Sequence, residues 1–294
     1  MKVLITGAGG QLGRALVRTA PRAADVTAVS HAELDIADAD AVAGRVLTGH
    51  PDIVINAAAF TQVDAAESDP AGAERANVDG VRALAEACQR GGAWLIHVST
   101  DYVFDGARTS PYRPTDAPRP LSVYGHTKWA GECCARATLP HSLTIVRTSW
   151  LYSATGRNFV TRMLELMARS STPRVVNDQV GAPTDAAGLA GLLWKFASSR
   201  VAGTYHWSDA GTATWYQFAV AIAEESVSLG LLPRSPEVVP ISTAEYPTPA
   251  RRPRYSVLDR STTEAALGCQ ATGWRDALKT TLTGIVRERA RGVV

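Results

Sequence analysis

Apolar positions in the first half of the chain fall into short β-rich runs: Val3–Ile5, Val26–Val29, Ile53–Ile55, Trp94–Val98 and Leu143–Val146. Continuous apolar runs of this length read as strands buried on both faces. Between them lie stretches rich in Ala, Leu and Arg that suit helices, such as Leu12–Thr19 and Val78–Arg90, the second stopped by Gly91-Gly92. Strand and helix in alternation specify βαβ units with right-handed crossovers. The expected fold class is α/β, a Rossmann-like doubly wound parallel sheet.

Past about Trp150 the texture changes. Proline and glycine become frequent, as in Gly181-Ala182-Pro183 and Tyr246-Pro247-Thr248-Pro249, and helical patterns stand out at Phe159–Arg169 and Trp215–Leu229. We expect residues 1–150 to form a dinucleotide-binding domain. Residues 151–294 should form mainly a smaller substrate-binding lobe, with later segments returning to the first domain.

Composition narrows the function. Hydrophobic residues make up 46% of the 294 and charged residues 20%, the balance of a globular chain. Thirty basic against twenty-eight acidic side chains leave +2, which argues against general nucleic-acid or membrane-surface binding. Four cysteines form no C-x-x-C pair, and the histidines show no paired spacing, so neither a zinc cage nor a disulfide framework is indicated. No apolar run approaches the roughly 18 residues of a membrane span. A strand pattern at Lys2-Val3-Leu4-Ile5 leaves no room for a signal peptide, and a cytoplasmic location is expected.

The first strand pattern runs straight into Thr6-Gly7-Ala8-Gly9-Gly10-Gln11-Leu12-Gly13. Glycines at 7, 10 and 13 permit a tight turn and close approach of a pyrophosphate, which the following helix N-terminus attracts. The alternative is an ordinary glycine-rich turn; the placement between strand and helix favours the phosphate site. The second strand ends Val29-Ser30-His31 with no immediate acid to repel a 2′-phosphate, and Ser30 could donate to one. NADPH is therefore the expected cofactor, with NADH also admissible. Asp35 is a candidate for the adenine amino group, or else a helix N-cap.

Tyr124-Gly125-His126-Thr127-Lys128 is Y-x-x-x-K, which puts both side chains on one helix face. A nearby ammonium is expected to lower the phenol's pKa and make it a usable proton donor. The fourth strand pattern leads into His97-Val98-Ser99-Thr100-Asp101-Tyr102, so Thr100 stands at a strand's carboxyl end, where open α/β sheets bind ligands. Taken alone, a Tyr/Lys pair is commonly a solvated surface pair; with Thr100 and the glycine turn it forms a catalytic set.

Longer blocks narrow the likeness. They are Asn56-Ala57-Ala58-Ala59-Phe60-Thr61-Gln62-Val63-Asp64, Ser99-Thr100-Asp101-Tyr102-Val103-Phe104-Asp105-Gly106 and Arg147-Thr148-Ser149-Trp150. Further on come Asn177-Asp178-Gln179-Val180-Gly181-Ala182-Pro183-Thr184 and Arg252-Pro253-Arg254-Tyr255-Ser256-Val257-Leu258-Asp259. With the glycine turn and the Thr–Tyr–Lys set, the chain resembles the dTDP-4-dehydrorhamnose reductase family, in the extended branch of the short-chain dehydrogenases/reductases. The likeness runs from about residue 2 to residue 280.

The resemblance implies NAD(P)H-dependent reduction of a sugar C4 ketone with Thr100, Tyr124 and Lys128 as the catalytic residues. It implies that Gly7, Gly10, Gln11 and Leu12 meet the cofactor diphosphate and that Ser30, Asp35 and Ile36 surround the adenosine end. Ala59, Phe60 and Thr61 would line the cofactor cleft, Val98 would lie beneath the nicotinamide, and Tyr124 and Lys128 would also touch the cofactor. Thr100, Asp101 and Trp150 would meet the dTDP-sugar, with Asn158 and Arg252 as further candidates for its nucleotide end. Trp150 could instead be a core aromatic at the lobe junction. Some relatives carry a glutamate-bound magnesium ion at a dimer contact. Here Ala15 is read at the position of that carboxylate, which leaves magnesium open, and a homodimer of another kind remains open too. Two rivals remain: a nucleotide-sugar epimerase or dehydratase, or another deoxysugar's reductase, on one side, and a non-catalytic NADP-binding regulatory subunit on the other.

Overall fold

The computed structural model describes residues 1–169 and 172–290. The chain begins β1 (Lys2–Thr6), α1 (Gln11–Arg18), β2 (Asp25–Val29), α2 (Ala39–Gly49) and β3 (Ile53–Asn56). It continues through the short helices α3 (Val63–Ser68) and α4 (Pro70–Glu74), a π-helical turn at Arg75–Asp79, and α5 (Gly80–Gly91). Then come β4 (Trp94–Thr100), a 3₁₀ turn at Asp101–Val103, α6 (Val123–Thr138) and β5 (Leu143–Thr148). A sixth strand, Gly203–Trp207, adds to the far edge, and every pairing in this sheet is parallel.

The strand order runs from the sixth strand through β5, β4, β3 and β1 to β2. The direction of winding therefore reverses between β1 and β3, and their carboxyl ends open the crevice where such sheets bind ligands. Successive side chains of a strand point to opposite faces. Val3, Ile5, Ile53, Ile55, Ile96 and Val146 pack on one side against α1 and the helix Ala186–Ser199. Leu4, Val54, Leu95 and Ile145 pack on the other against α2, α5 and α6. This two-sided burial is why these strands read as unbroken apolar runs. The sixth strand, Gly203-Thr204-Tyr205-His206-Trp207, has no such run and was not expected; its pairing with β5 comes from the sheet edge rather than from its own pattern.

The rest of the chain builds a second lobe around the helices Phe159–Ala168, Trp215–Ser228 and Trp274–Ala290. Its core joins Tyr152, Val160, Leu164, Phe218, Ile222, Leu278 and Leu282. Pairs of two- and three-residue strands stitch it together, such as Leu151–Tyr152 with Thr184–Asp185 and Val239–Ile241 with Arg174–Val176. Strands this short carry little pattern, hence the loop-rich appearance of the sequence here. Among the described residues no helix is long and apolar enough to cross a membrane.

Candidate active site

The glycine turn sits at the mouth of the crevice. Gly7 takes φ +72°, and a Cβ there would lie 2.6 Å from Ala58 N, so the turn is pressed against the loop that follows β3. Gly10 is the N-cap of α1 and no side chain caps that helix, so its first N–H groups and its dipole face the crevice. These features fit a dinucleotide diphosphate. Gln11 lies at the lobe boundary, its Oε1 accepting from Ser153 Oγ at 2.9 Å. The Leu12 side chain is buried in the sheet core, which leaves only its backbone for a ligand.

Beneath the crevice a buried polar row crosses the strand ends. Thr6 Oγ1 donates to Asn56 Oδ1 at 2.7 Å, Asn56 Nδ2 meets His97 Nδ1 at 3.1 Å, and Ala58 N donates to Asn56 Oδ1 at 3.1 Å. The row fixes the start of the loop carrying Ala59, Phe60 and Thr61. Asn77, in the π-helical turn, clamps that loop further: its Oδ1 accepts from Phe60 N at 2.9 Å, while Nδ2 donates to Phe60 O and to Thr127 Oγ1, each at 3.1 Å. Phe60 thereby packs against the small cluster that contains Tyr124. Sequence reading missed Asn77, because a π-helical turn has no sequence signature of its own.

Tyr124 lies in the first turn of α6, whose N-cap Ser122 accepts from Gly125 N at 3.2 Å. A Cβ on Gly125 would stand 2.3 Å from Tyr102 O; glycine here lets α6 close onto the 3₁₀ turn after β4. That closure brings Tyr124 and Thr100 together, near enough for the Thr100 hydroxyl to act on the phenol. Thr100 Oγ1 also donates to Asp101 Oδ1 at 3.1 Å, and the Tyr102 ring meets Tyr124 edge-on at 5.6 Å. One turn further along α6, Lys128 Nζ donates to Val98 O at 2.8 Å. Four of the expected residues are thus gathered at one point: Thr100, Asp101, Tyr124 and Lys128.

Burial dominates the charges at this point. It pushes the Tyr124 phenol up to about 12, with the Thr100 hydroxyl pulling the other way and the Asp101 charge adding to the rise. It lifts the Asp101 carboxyl to about 6 against the pull of the Ser256 and Thr100 hydroxyls. It drives Lys128 down to about 8, opposed by the Glu132 carboxylate. The expected lowering of the phenol by its lysine is therefore corrected. The ammonium is aimed at a carbonyl, and desolvation of the phenolate outweighs its attraction.

A buried ion cluster stands behind α6. Glu132 accepts from Arg147 Nε at 2.9 Å and Nη2 at 2.7 Å, from Arg136 at 2.7 Å and from Ser99 Oγ at 2.6 Å. Arg147 is 1% exposed and Glu132 fully buried. The cluster locks α6 to β4 and β5, which carry Thr100 and Trp150's approach.

The remaining candidates are more scattered. Trp150 is half-buried at the lobe junction in a left-handed conformation, φ 46°, and stacks on Trp215 with centroids 3.6 Å apart. A bulky residue held there costs on the order of 1–3 kcal/mol, a strain that clusters at functional sites. Ile36 is buried, with its Cγ1 2.7 Å from where a Cβ on Gly80 would stand. Asp35 pairs with Arg75 and accepts from Ala37 N at 3.0 Å; the N-cap of α2 is Asp38 instead. Asn158 is spent on a capping box, and Arg252 is held by Asp64 at 2.7 Å and 3.0 Å. Ala15 is 1% exposed, packed inward on the sheet. An alanine there offers no carboxylate to a metal.

Comparisons with known proteins identify the family and the fold. The family described as RmlD substrate binding domain matches residues 1–286. A dTDP-4-dehydrorhamnose reductase of Aggregatibacter actinomycetemcomitans is 42% identical over 95% of this chain and 97% of its own length. The chain belongs to the dTDP-4-dehydrorhamnose reductase family. A solved dTDP-4-dehydrorhamnose reductase from Clostridium acetobutylicum superposes with a TM-score of 0.92 at 38% identity, covering 97% of this chain and all of that one (100%). The Bacillus anthracis dTDP-4-dehydrorhamnose reductase, solved in complex with NADP, gives 0.90 at 35% identity, covering 96% of this chain and 99% of that one. The fold is thus that of the dTDP-4-dehydrorhamnose reductases.

Proposed function

We propose that this chain reduces the C4 ketone of dTDP-4-dehydro-L-rhamnose to dTDP-L-rhamnose with NADPH. The observation that carries the reading is the convergence of Thr100, Asp101, Tyr124 and Lys128 at the carboxyl end of β4, beside the uncapped glycine turn. Bound NADPH supplies a hydride to C4. The chain's own residues do the rest. Tyr124 passes its hydroxyl proton to the ketone oxygen as negative charge grows there. Thr100 donates to the same oxygen. Lys128 places a positive charge behind the phenol and offers its ammonium to the cofactor ribose. Asp101 accepts from a sugar hydroxyl. General acid catalysis of this kind is worth roughly 10²–10⁴ in rate.

Gly7, Gly10, Gln11 and Leu12 would hold the diphosphate; Ser30, Asp35 and Ile36 the adenosine; and Ala59, Phe60, Thr61 and Val98 the nicotinamide end. Trp150, stacked on Trp215, would form a wall for the substrate. We assign the sheet lobe to residues 1–150, with Ala186–Trp207 and Ser261–Leu267 returning to it, and most of the remainder to the substrate lobe. We place the protein in the cytoplasm; a homodimer without a metal bridge is read by its mass in light scattering.

The test supplies dTDP-4-keto-6-deoxyglucose and NADPH to the purified chain, with and without a 3,5-epimerase. Epimerase-dependent, stoichiometric consumption of NADPH, with a rhamnose configuration in the product NMR spectrum, supports the reading. Sugar turnover with the cofactor recycled would assign an epimerase or dehydratase. A product differing at C4 would assign another deoxysugar, and inactivity with intact cofactor binding a regulatory subunit.

A further inference from the structure

β2 ends without an acid, yet a carboxylate stands at its exit. Val29 O accepts from Ala8 N at 2.9 Å, which fastens the end of β2 to the glycine turn. Ser30 follows, its Cβ 3.7 Å from where a Cβ on Gly9 would lie. Ser30-His31-Ala32-Glu33 then closes on itself. Glu33 N and Leu34 N donate to Ser30 O at 3.1 Å and 3.0 Å. Glu33 Oε2 accepts from Ser30 N at 2.8 Å and from Ser30 Oγ at 2.7 Å. This is the acid's half of an S-x-x-E capping box, Glu33 reaching back to Ser30 N, while the Ser30 hydroxyl donates to the acid instead of accepting from Glu33 N. It uses the one proton of the Ser30 hydroxyl on a carboxylate, so that hydroxyl is not free to donate to a phosphate. Glu33 lies about 20 residues past the last glycine of the turn, the separation at which a sheet of this kind places its ribose-binding acid.

The charges around it are already matched. Arg75 is paired with Asp35, and Arg45 is the cation whose charge acts on Glu33. Backbone and hydroxyl hydrogen bonds from Ser30 hold the Glu33 carboxyl below its ordinary range, so it is anionic at neutral pH.

We propose that Glu33 is a specificity-determining residue for the cofactor: through Ser30 it presents a carboxylate to the adenosine ribose, accepting from a 2′-hydroxyl and opposing a 2′-phosphate. The chain would then use NADH alongside NADPH, with Glu33 setting the ratio. The proposal rests on the cofactor cleft assigned above.

The test is calorimetric titration with adenosine 2′,5′-bisphosphate and with adenosine 5′-monophosphate, which reads binding without turnover. Glu33→Gln keeps the shape and the acceptor for Ser30 N but removes the charge. Its Kd for the bisphosphate should fall roughly fivefold to tenfold, while that for the monophosphate changes less than about twofold. The gain should shrink at high salt. Glu33→Asp keeps the charge and should hold the wild-type preference. A ratio of the two Kd values unmoved by Glu33→Gln overturns the proposal; so does an equal loss for both ligands, which would mark Glu33 as a turn former alone. Should neither nucleotide bind the wild-type chain, the cleft assignment falls with it. Monophosphate binding with an unmoved ratio defeats only the role of Glu33.

Discussion

The two ends of the crevice are built on opposite terms. At the reacting end, Thr100, Asp101, Tyr124 and Lys128 are all at least nine-tenths buried, and burial moves three of their pKa values. At the end proposed for the adenosine the charged groups, Glu33 and the pair Asp35–Arg75, sit at the surface, with the Arg75 side chain 60% exposed. In a dry site each charge is strongly felt and its geometry must be held by packing. At a wet one each is worth little and can be exchanged without disturbing the fold. On the proposed reading, chemistry and cofactor preference should therefore be separable, and the difference can be probed in four ways.

The largest effect belongs to the dry end. Tyr124→Phe should lower kcat by about 10²–10⁴ while leaving NADPH affinity near wild type, because only the transferred proton is lost. Near-normal turnover in that variant would remove Tyr124 from its role. Next comes the cluster behind α6. Glu132→Ala would leave Arg147, 1% exposed, without its partner. A buried charge left alone costs about 3–5 kcal/mol, read as a fall in the denaturant midpoint. A variant as stable as wild type would show that water or a neighbour rescues the arginine.

Lys128 gives a pH signature of mixed sign. The folded chain releases this proton near 8, whereas an ordinary lysine does so near 10.5. Between those values the unfolded chain binds more protons, so the Lys128 contribution makes stability rise with pH. Over the same window the ammonium behind Tyr124 is lost, and kcat/KM should fall as pH rises through about 8. Lys128→Met should abolish the stability slope in that window; a slope unchanged by the substitution would assign it to other groups. The smallest effect is at the wet end. Arg75→Ala should cost less than about 1 kcal/mol, and less still at high salt. A drop of several kcal/mol would erase the contrast between the two ends.

Much of the site was legible because it lies within short, local patterns. The glycine turn, the Y-x-x-x-K spacing and the strand leading to Thr100 each occupy a few consecutive residues whose geometry follows from the element they begin or end. The S-x-x-E of Ser30 and Glu33 was equally local and was passed over, because an acid was sought at the strand's last residue and not three positions on. Asn77, Trp215 and Asp64 could not be read this way. Asn77 reaches Thr127 across fifty residues, Trp215 meets Trp150 across the lobe junction, and Asp64 holds Arg252 from the far end of the chain.

The sequence by itself determined the alternating sheet, the glycine turn and the pair of groups on one face of α6, since periods of two and of three to four residues are properties of a single strand or helix. Tertiary structure alone decided the sixth strand, the closeness of Thr100 to Tyr124 and the state of their protons. A pKa depends on how much water the fold removes and on which charges it brings near, and both are set by segments far apart along the chain.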